Sequence, residues 1–160
     1  MLNENDSNEK TITLHSGNAL LEIVPEVGGC ITRYCLETEE QVLELLWPTT
    51  KAGLAAKNPV EMGCFPLVPF SNRIRNGRFS FQGQQINLPP NFPPEVHTIH
   101  GHGWKVPWNV TEATEIRAEI EYHHFSDEWP FPYTARQVFE LTDSALTFTM
   151  QITNSGKTMM

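Results

Sequence analysis

The chain has 160 residues, 39% of them hydrophobic, with eleven basic against nineteen acidic side chains for a formal charge of −8. That balance repels a phosphate backbone and an anionic membrane surface alike, so nucleic acid and membrane are excluded as expected partners. The length suits one domain with its own core, or part of a larger one.

Taken in order, residues 1–10 are polar and acidic, with Met1 and Leu2 as their apolar anchors. They are expected to form a disordered tail, because so little apolar surface cannot offset the entropy of ordering. The tail lacks the basic start and apolar centre of a signal peptide, and no apolar run approaches a membrane span, so a cytoplasmic location is expected. Residues 11–15 and 19–24 read as a hairpin around Ser16-Gly17-Asn18. After the break at Val27-Gly28-Gly29, alternation puts Cys30, Thr32, Tyr34 and Leu36 on one face and Ile31, Arg33 and Cys35 on the other. Residues 42–47 are apolar and end at Pro48, and residues 49–57 are the one stretch suited to a short helix, weakened by Gly53. Residues 78–81 and 85–88 alternate around Gln82-Gly83-Gln84, a second hairpin. Further on, Ile116, Ala118, Ile120, Tyr122 and His124 share one strand face, with Glu115, Arg117, Glu119, Glu121 and His123 on a solvated opposite face. Residues 133–141 form the next strand. Leu146, Phe148, Met150 and Ile152 then face inward, with Thr147, Thr149, Gln151 and Thr153 outward. Short strands at spacings of about 8–12 residues, separated by turn residues, predict an all-β sandwich over residues 11–160. Cys30, Cys35 and Cys64 are odd in number and form no CxxC pair, so buried free thiols are expected.

The densest chemistry lies between Pro66 and Trp108, in two polar knots: Asn72-Arg73-Ile74-Arg75, and the run from His97 to Trp104. The hairpin between them can bring the knots together. Arg75 and Arg78 read as an exposed basic turn. Arg73, flanked by Pro69-Phe70 and Ile74, offers a planar fork of donors suited to two adjacent hydroxyls, and Asn72 adds a donor and an acceptor. His97, His100 and His102 suggest a metal at first, since close-spaced imidazoles are common ligands. A double-stranded β-helix metal site would need a Glu three or four residues beyond the His-x-His pair, where Val106 and Pro107 stand, so neither metal nor cofactor is expected. His100 is the favoured functional histidine, because Gly101 and Gly103 strip side chains from around it. Trp104 and Trp108 fit either a sugar face or the core. His123 and His124 lie on opposite faces of one strand and cannot serve one site.

The run PFSNRIRNGRF, then LPPN, then HTIHGHGW resembles the aldose 1-epimerase (galactose mutarotase) family, and the likeness extends from about Gly28 through PYTARQVFELTDSALTFTMQITN. The resemblance implies a β-supersandwich, here its N-terminal portion. It implies sugar contacts from Asn72, Arg73 and His100, with His100 at the reacting end as the catalytic contact. It implies a reaction that interconverts the α and β anomers of an aldohexose by opening and reclosing the hemiacetal, with a base on the anomeric hydroxyl and an acid on the ring oxygen. The family's acid, a second His, and its base, a Glu, correspond to positions beyond Met160, so the chain is expected to be the N-terminal half of such a protein. Two alternatives stay open: a non-catalytic carbohydrate-binding module, and a hexose-phosphate 1-epimerase with Arg75 and Arg78 toward the phosphate. A half sandwich also predicts an under-covered edge at residues 146–152 and self-association through it.

Overall fold

The computed structural model describes residues 11–160, and the tail expected at 1–10 lies outside the described residues. Strand β1 (Ile12–Ser16) turns at Gly17-Asn18 into β2 (Ala19–Val24), which pairs with β3 (Cys30–Glu37) and through it with the short β4 (Val42–Glu44). One helical turn follows, α1 (Lys51–Ala55), capped by the Thr50 side chain, which accepts from the Gly53 N–H. Gly53 is tolerated there because a Cβ would crowd Glu61. Two ribbons come next: β5 (Arg73–Ile74) pairs with β8 (Thr98–Ile99), and β6 (Arg78–Phe81) pairs with β7 (Gln84–Asn87). Last is an antiparallel meander of β9 (Asn109–Ala113), β10 (Arg117–His124), β11 (Tyr133–Leu141) and β12 (Leu146–Asn154), in the order β12-β11-β10-β9.

The two four-stranded sheets bury their alternating faces in a common core. Leu14, Leu21, Ile23 and Ile31 come from the first sheet, Ala118, Ile120, Tyr133, Ala135, Phe139 and Leu141 from the second, with Val68 and Trp108 between them. Each large apolar side chain removed from water contributes about 1.5–3 kcal/mol, which is what makes the alternation stabilising. β1 also meets the turn between β9 and β10 through backbone, where the His15 N–H donates to the Glu115 carbonyl at 2.7 Å. Buried Gln137 donates to the Gly29 carbonyl at 3.4 Å, an approach that any Cβ on Gly29 would obstruct. On the outer face of the meander, Glu119 accepts from both Arg117 and Arg136, and the Arg136 bond, aided by Arg117, pulls its carboxyl down to about 2. No helix among the described residues is long and apolar enough to cross a membrane.

Four details depart from the sequence reading. Glu22 pairs with Arg33 while Ile23 pairs with Ile31, so Thr32 bulges out of register. The bulge shifts the facing by one residue: Ile31, not Cys30, joins Tyr34 and Leu36 at the main core, and Cys30 moves to a second cluster with Val24, Val27 and Met62. Ile116 precedes β10 and is 52% exposed instead of facing inward. Cys30 and Cys35 are buried, but Cys64 is exposed. Finally, two residues expected to face inward do so only in part: on the edge strand β12, Phe148 packs on Phe139 at 5.2 Å yet remains 45% exposed, and Ile152 is 36% exposed.

Candidate functional site

The β6–β7 hairpin turns at Gln82-Gly83 with φ of 48° and 76°, and closes at its base where Leu88 N–H donates to the Gly77 carbonyl at 2.7 Å. That closure returns the chain beside its own start, so Arg73 pairs with Ile99 and Ile74 with Thr98. The His100 N–H then donates to the Asn72 carbonyl at 2.9 Å. Asn72, Arg73 and His100 are therefore brought together by one two-stranded ribbon.

Both ribbon ends are conformationally unusual. Asn72 and His100 have φ of 63° and 56°, a left-handed region that few side-chain-bearing residues occupy. Gly101 follows at φ 67°, where a Cβ would lie 2.2 Å from Pro69 Cδ and 2.4 Å from the Val68 carbonyl oxygen. Glycine is required here by backbone contact as well as by φ. Its carbonyl accepts from the Trp104 indole at 3.0 Å, and the Gly103 carbonyl accepts from the Trp108 indole at 2.8 Å. Trp104 is 1% exposed and Trp108 is buried, so both tryptophans brace the loop from the core and present no open face to a sugar.

Arg73 is 51% exposed and donates through Nε to Glu95 Oε2 at 2.9 Å, while its Nη2 makes no hydrogen bond among the described residues. That bond, with a second from the His97 N–H to the other carboxylate oxygen, holds Glu95 below the usual carboxylate range. His97 is committed through Nδ1, which accepts the Asn76 N–H at 3.1 Å. His100 stands edge-on to Phe65 and Trp104, with ring centroids 6.3 and 6.2 Å away. Burial, and then the Arg73 charge, lowers its pKa, so the imidazole is neutral at pH 7. Its Nδ1 is shielded from solvent and has no hydrogen-bond partner among the described residues.

His102 turns away from this group. Its Nε2 meets the Tyr133 hydroxyl at 3.1 Å, and its ring lies 4.3 Å from that of His124. Burial, with the His124 charge, pushes His102 down to about 4. His124 is buried and donates Nε2 to the Trp129 carbonyl at 2.8 Å, while His123 faces solvent on the opposite side of β10. The three close-spaced histidines thus have three separate sets of partners, and among the described residues no three His, Cys, Asp or Glu side chains gather as they would around a metal.

A cavity of about 180 Å³ opens beside the ribbon, lined among others by Phe70, Leu88, Asn91, His102, Asp127 and Trp129; it does not include Asn72, Arg73 or His100. Trp129 packs against Phe70 at 5.5 Å and Phe79 at 5.9 Å, and its indole N–H is shielded, with no partner among the described residues. Sequence reasoning passed over Trp129. The available signal was the alternation of aromatic residue and proline in Trp129-Pro130-Phe131-Pro132, directly after Ser126-Asp127-Glu128.

The whole described chain matches the family model for aldose 1-epimerase, over residues 10–160. The chain belongs to the aldose 1-epimerase family. The uncharacterized protein YphB of Escherichia coli K12 is 35% identical over 144 residues, 90% of this chain and 46% of that protein. A solved structure from Escherichia coli K12, of a candidate aldose 1-epimerase, superposes with a TM-score of 0.80 at 33% identity, covering 92% of this chain and 47% of the other. The GalM/aldose epimerase homologue from C. elegans shares the fold at 16% identity, with a TM-score of 0.75 and 91% and 46% coverage. The chain spans about half the length of the relatives it matches. Those relatives have the galactose mutarotase-like fold, so the two packed sheets here form the corresponding portion of that larger β-sandwich.

Proposed function

We propose that this chain carries the sugar-contacting part of an aldose 1-epimerase site, with Asn72, Arg73 and His100 as the contacts to an aldohexose. The observation that carries the reading is the shielded Nδ1 of His100, without a partner among the described residues, on the ribbon that also carries the Arg73 fork and the Asn72 amide. Buried polar atoms in proteins are almost always hydrogen-bonded, and each exception calls for an explanation, a catalytic role among them. Arg73 and Asn72 suit vicinal hydroxyls, which need a planar donor fork and a group that both donates and accepts. His100, neutral at pH 7, hydrogen-bonds at the reacting end of the sugar. In the complete reaction a base takes the anomeric hydroxyl proton as the C1–O5 bond breaks and an acid protonates the departing ring oxygen. Rotation about C1–C2 and reclosure on the other carbonyl face give the opposite anomer, with no net gain or loss of protons.

Titration of galactose and glucose tests the contacts. Replacing Arg73→Ala should weaken binding by about 1–2 kcal/mol, the value of a charge-assisted donor pair discounted for a half-exposed group. Thermal stability should change by less than about 1 kcal/mol, because an exposed ion pair such as that with Glu95 is worth little. Equal affinities in a wild type that binds measurably would remove Arg73 from the site.

The edge of the second sheet supports self-association. β12 reads LTFTMQITN, nine residues without a charge, proline or glycine, with Phe148 and Ile152 left partly bare. Such an edge is a template for further strand pairing. Sedimentation velocity should show concentration-dependent association, reversed by Thr149→Lys with Gln151→Lys; a wild type that stays monomeric throughout the range would refute it.

A further inference from the structure

We infer that Asn91 is the positioning residue for His100; the inference deepens the sugar-site reading and rests on it for its functional meaning. Asn91 sits in the loop between β7 and β8, and its side chain uses both N–H groups and its carbonyl on the backbone of Ile99 and Gly101, the residues on either side of His100. Nδ2 donates to the Ile99 carbonyl at 2.7 Å and to the Gly101 carbonyl at 2.6 Å, while Oδ1 accepts the Ile99 N–H at 2.9 Å. The amide thus acts as a substitute strand that continues past the end of β8, where regular pairing stops.

His100 needs such a device. Left-handed backbone at a residue with a side chain is strained and persists only where the surroundings over-determine it. His100 has φ 56° and is followed by Gly101 at 67°, so two successive residues leave the extended path. The His100 N–H is held by the Asn72 carbonyl, which fixes one side of the residue. Asn91 holds the Ile99 carbonyl, in the peptide that precedes His100, and the Gly101 carbonyl, one peptide beyond it, so the backbone is pinned on both sides of His100 and with it the direction of the imidazole. Asn91 is itself anchored, since its own carbonyl accepts from Lys105 Nζ. A neighbouring anchor separates positioning from plain loop stability: Thr98 Oγ1 donates to the Leu88 and Pro89 carbonyls at 3.2 and 2.8 Å, tying down the same loop without touching the peptides around His100.

The experiment compares Asn91→Ala, Asn91→Asp and Thr98→Val in protein labelled with ¹⁵N-histidine. Asn91→Asp keeps the side-chain volume and an acceptor for Ile99 but loses both donors, and serves if Asn91→Ala does not fold. Both Asn91 variants should shift the His100 amide and imidazole signals and weaken galactose or glucose binding roughly tenfold, as loss of these half-buried hydrogen bonds implies. Thr98→Val should lower thermal stability with the His100 signals unmoved. Folded Asn91 variants whose His100 signals match wild type would overturn the assignment, as would equal movement in Thr98→Val. A wild type that binds neither sugar would count against the sugar-site reading alone, because the His100 signals still decide what Asn91 does.

Discussion

Freshly dissolved α-galactose or α-glucose should lose optical rotation little faster in the presence of residues 1–160 than in buffer. General acid and general base contributions are each typically about 10²–10⁴-fold, and mutarotation needs both ends of the hemiacetal served at once. The titratable groups that neighbour His100 in sequence are already committed. Glu95 is bonded to Arg73 and to the His97 N–H, His97 accepts from Asn76, and His102 is turned to Tyr133. All three lie in the same short segment as His100, whereas the acid and the base must act on different sides of the anomeric centre. Polarimetry beside a full-length mutarotase is the measurement. Turnover by a monomeric sample would show that acid and base lie within these residues and that the roles given to them here are wrong. Binding without turnover is the behaviour of a carbohydrate-binding module, and the affinity titrations distinguish it from no interaction.

Gly101→Ala should produce the largest loss of stability among substitutions at the site. The new Cβ would sit 2.2 Å from Pro69 Cδ and 2.4 Å from the Val68 carbonyl oxygen, and both neighbours belong to backbone or ring and cannot swing aside. Strain from φ 67° adds to the clash, for a total of about 3 kcal/mol or more. For a domain of this size that is a fall in Tm on the order of 10 °C. Sugar binding should be lost with it, because the Gly101 carbonyl is one of the two that Asn91 holds. Gly83→Ala is the control. Gly83 has φ 76° but nothing within 4 Å of a Cβ, so it should cost only the conformational penalty of about 1–2 kcal/mol. Similar effects from the two substitutions would mean that the Val68–Pro69 contact yields easily.

Much of the sandwich could be read from residue order. Alternation with period two is a local property, and it correctly grouped Ala118, Ile120, Tyr122 and His124 on one face of β10 against His123 on the other. Turn chemistry is local as well, which is why Gly17-Asn18 and Gln82-Gly83 marked both hairpins. The resemblance carried by SNRIR and HTIHGHGW named the family and singled out Asn72, Arg73 and His100, which one ribbon does bring together.

Other features depend on segments far apart in the chain, and only the tertiary structure decides them. The bulge at Thr32 comes from how β3 registers against β2, and it moves Ile31 into the main core at the expense of Cys30. Trp104 and Trp108 become core residues because their indoles donate to carbonyls of the loop they lie under. His100 and His102 have the same local neighbours in sequence but opposite environments. The left-handed turn at His100 and Gly101 sends one imidazole toward Arg73 and the other toward Tyr133, and that turn is held by Asn72, Asn91 and Val68, none of which lies within its own local stretch. Sequence by itself determined the strands, the family and the types of group at the site; which imidazole lies beside Asn72 and Arg73 was decided by long-range hydrogen bonds, because a strained backbone conformation persists only where distant partners hold it.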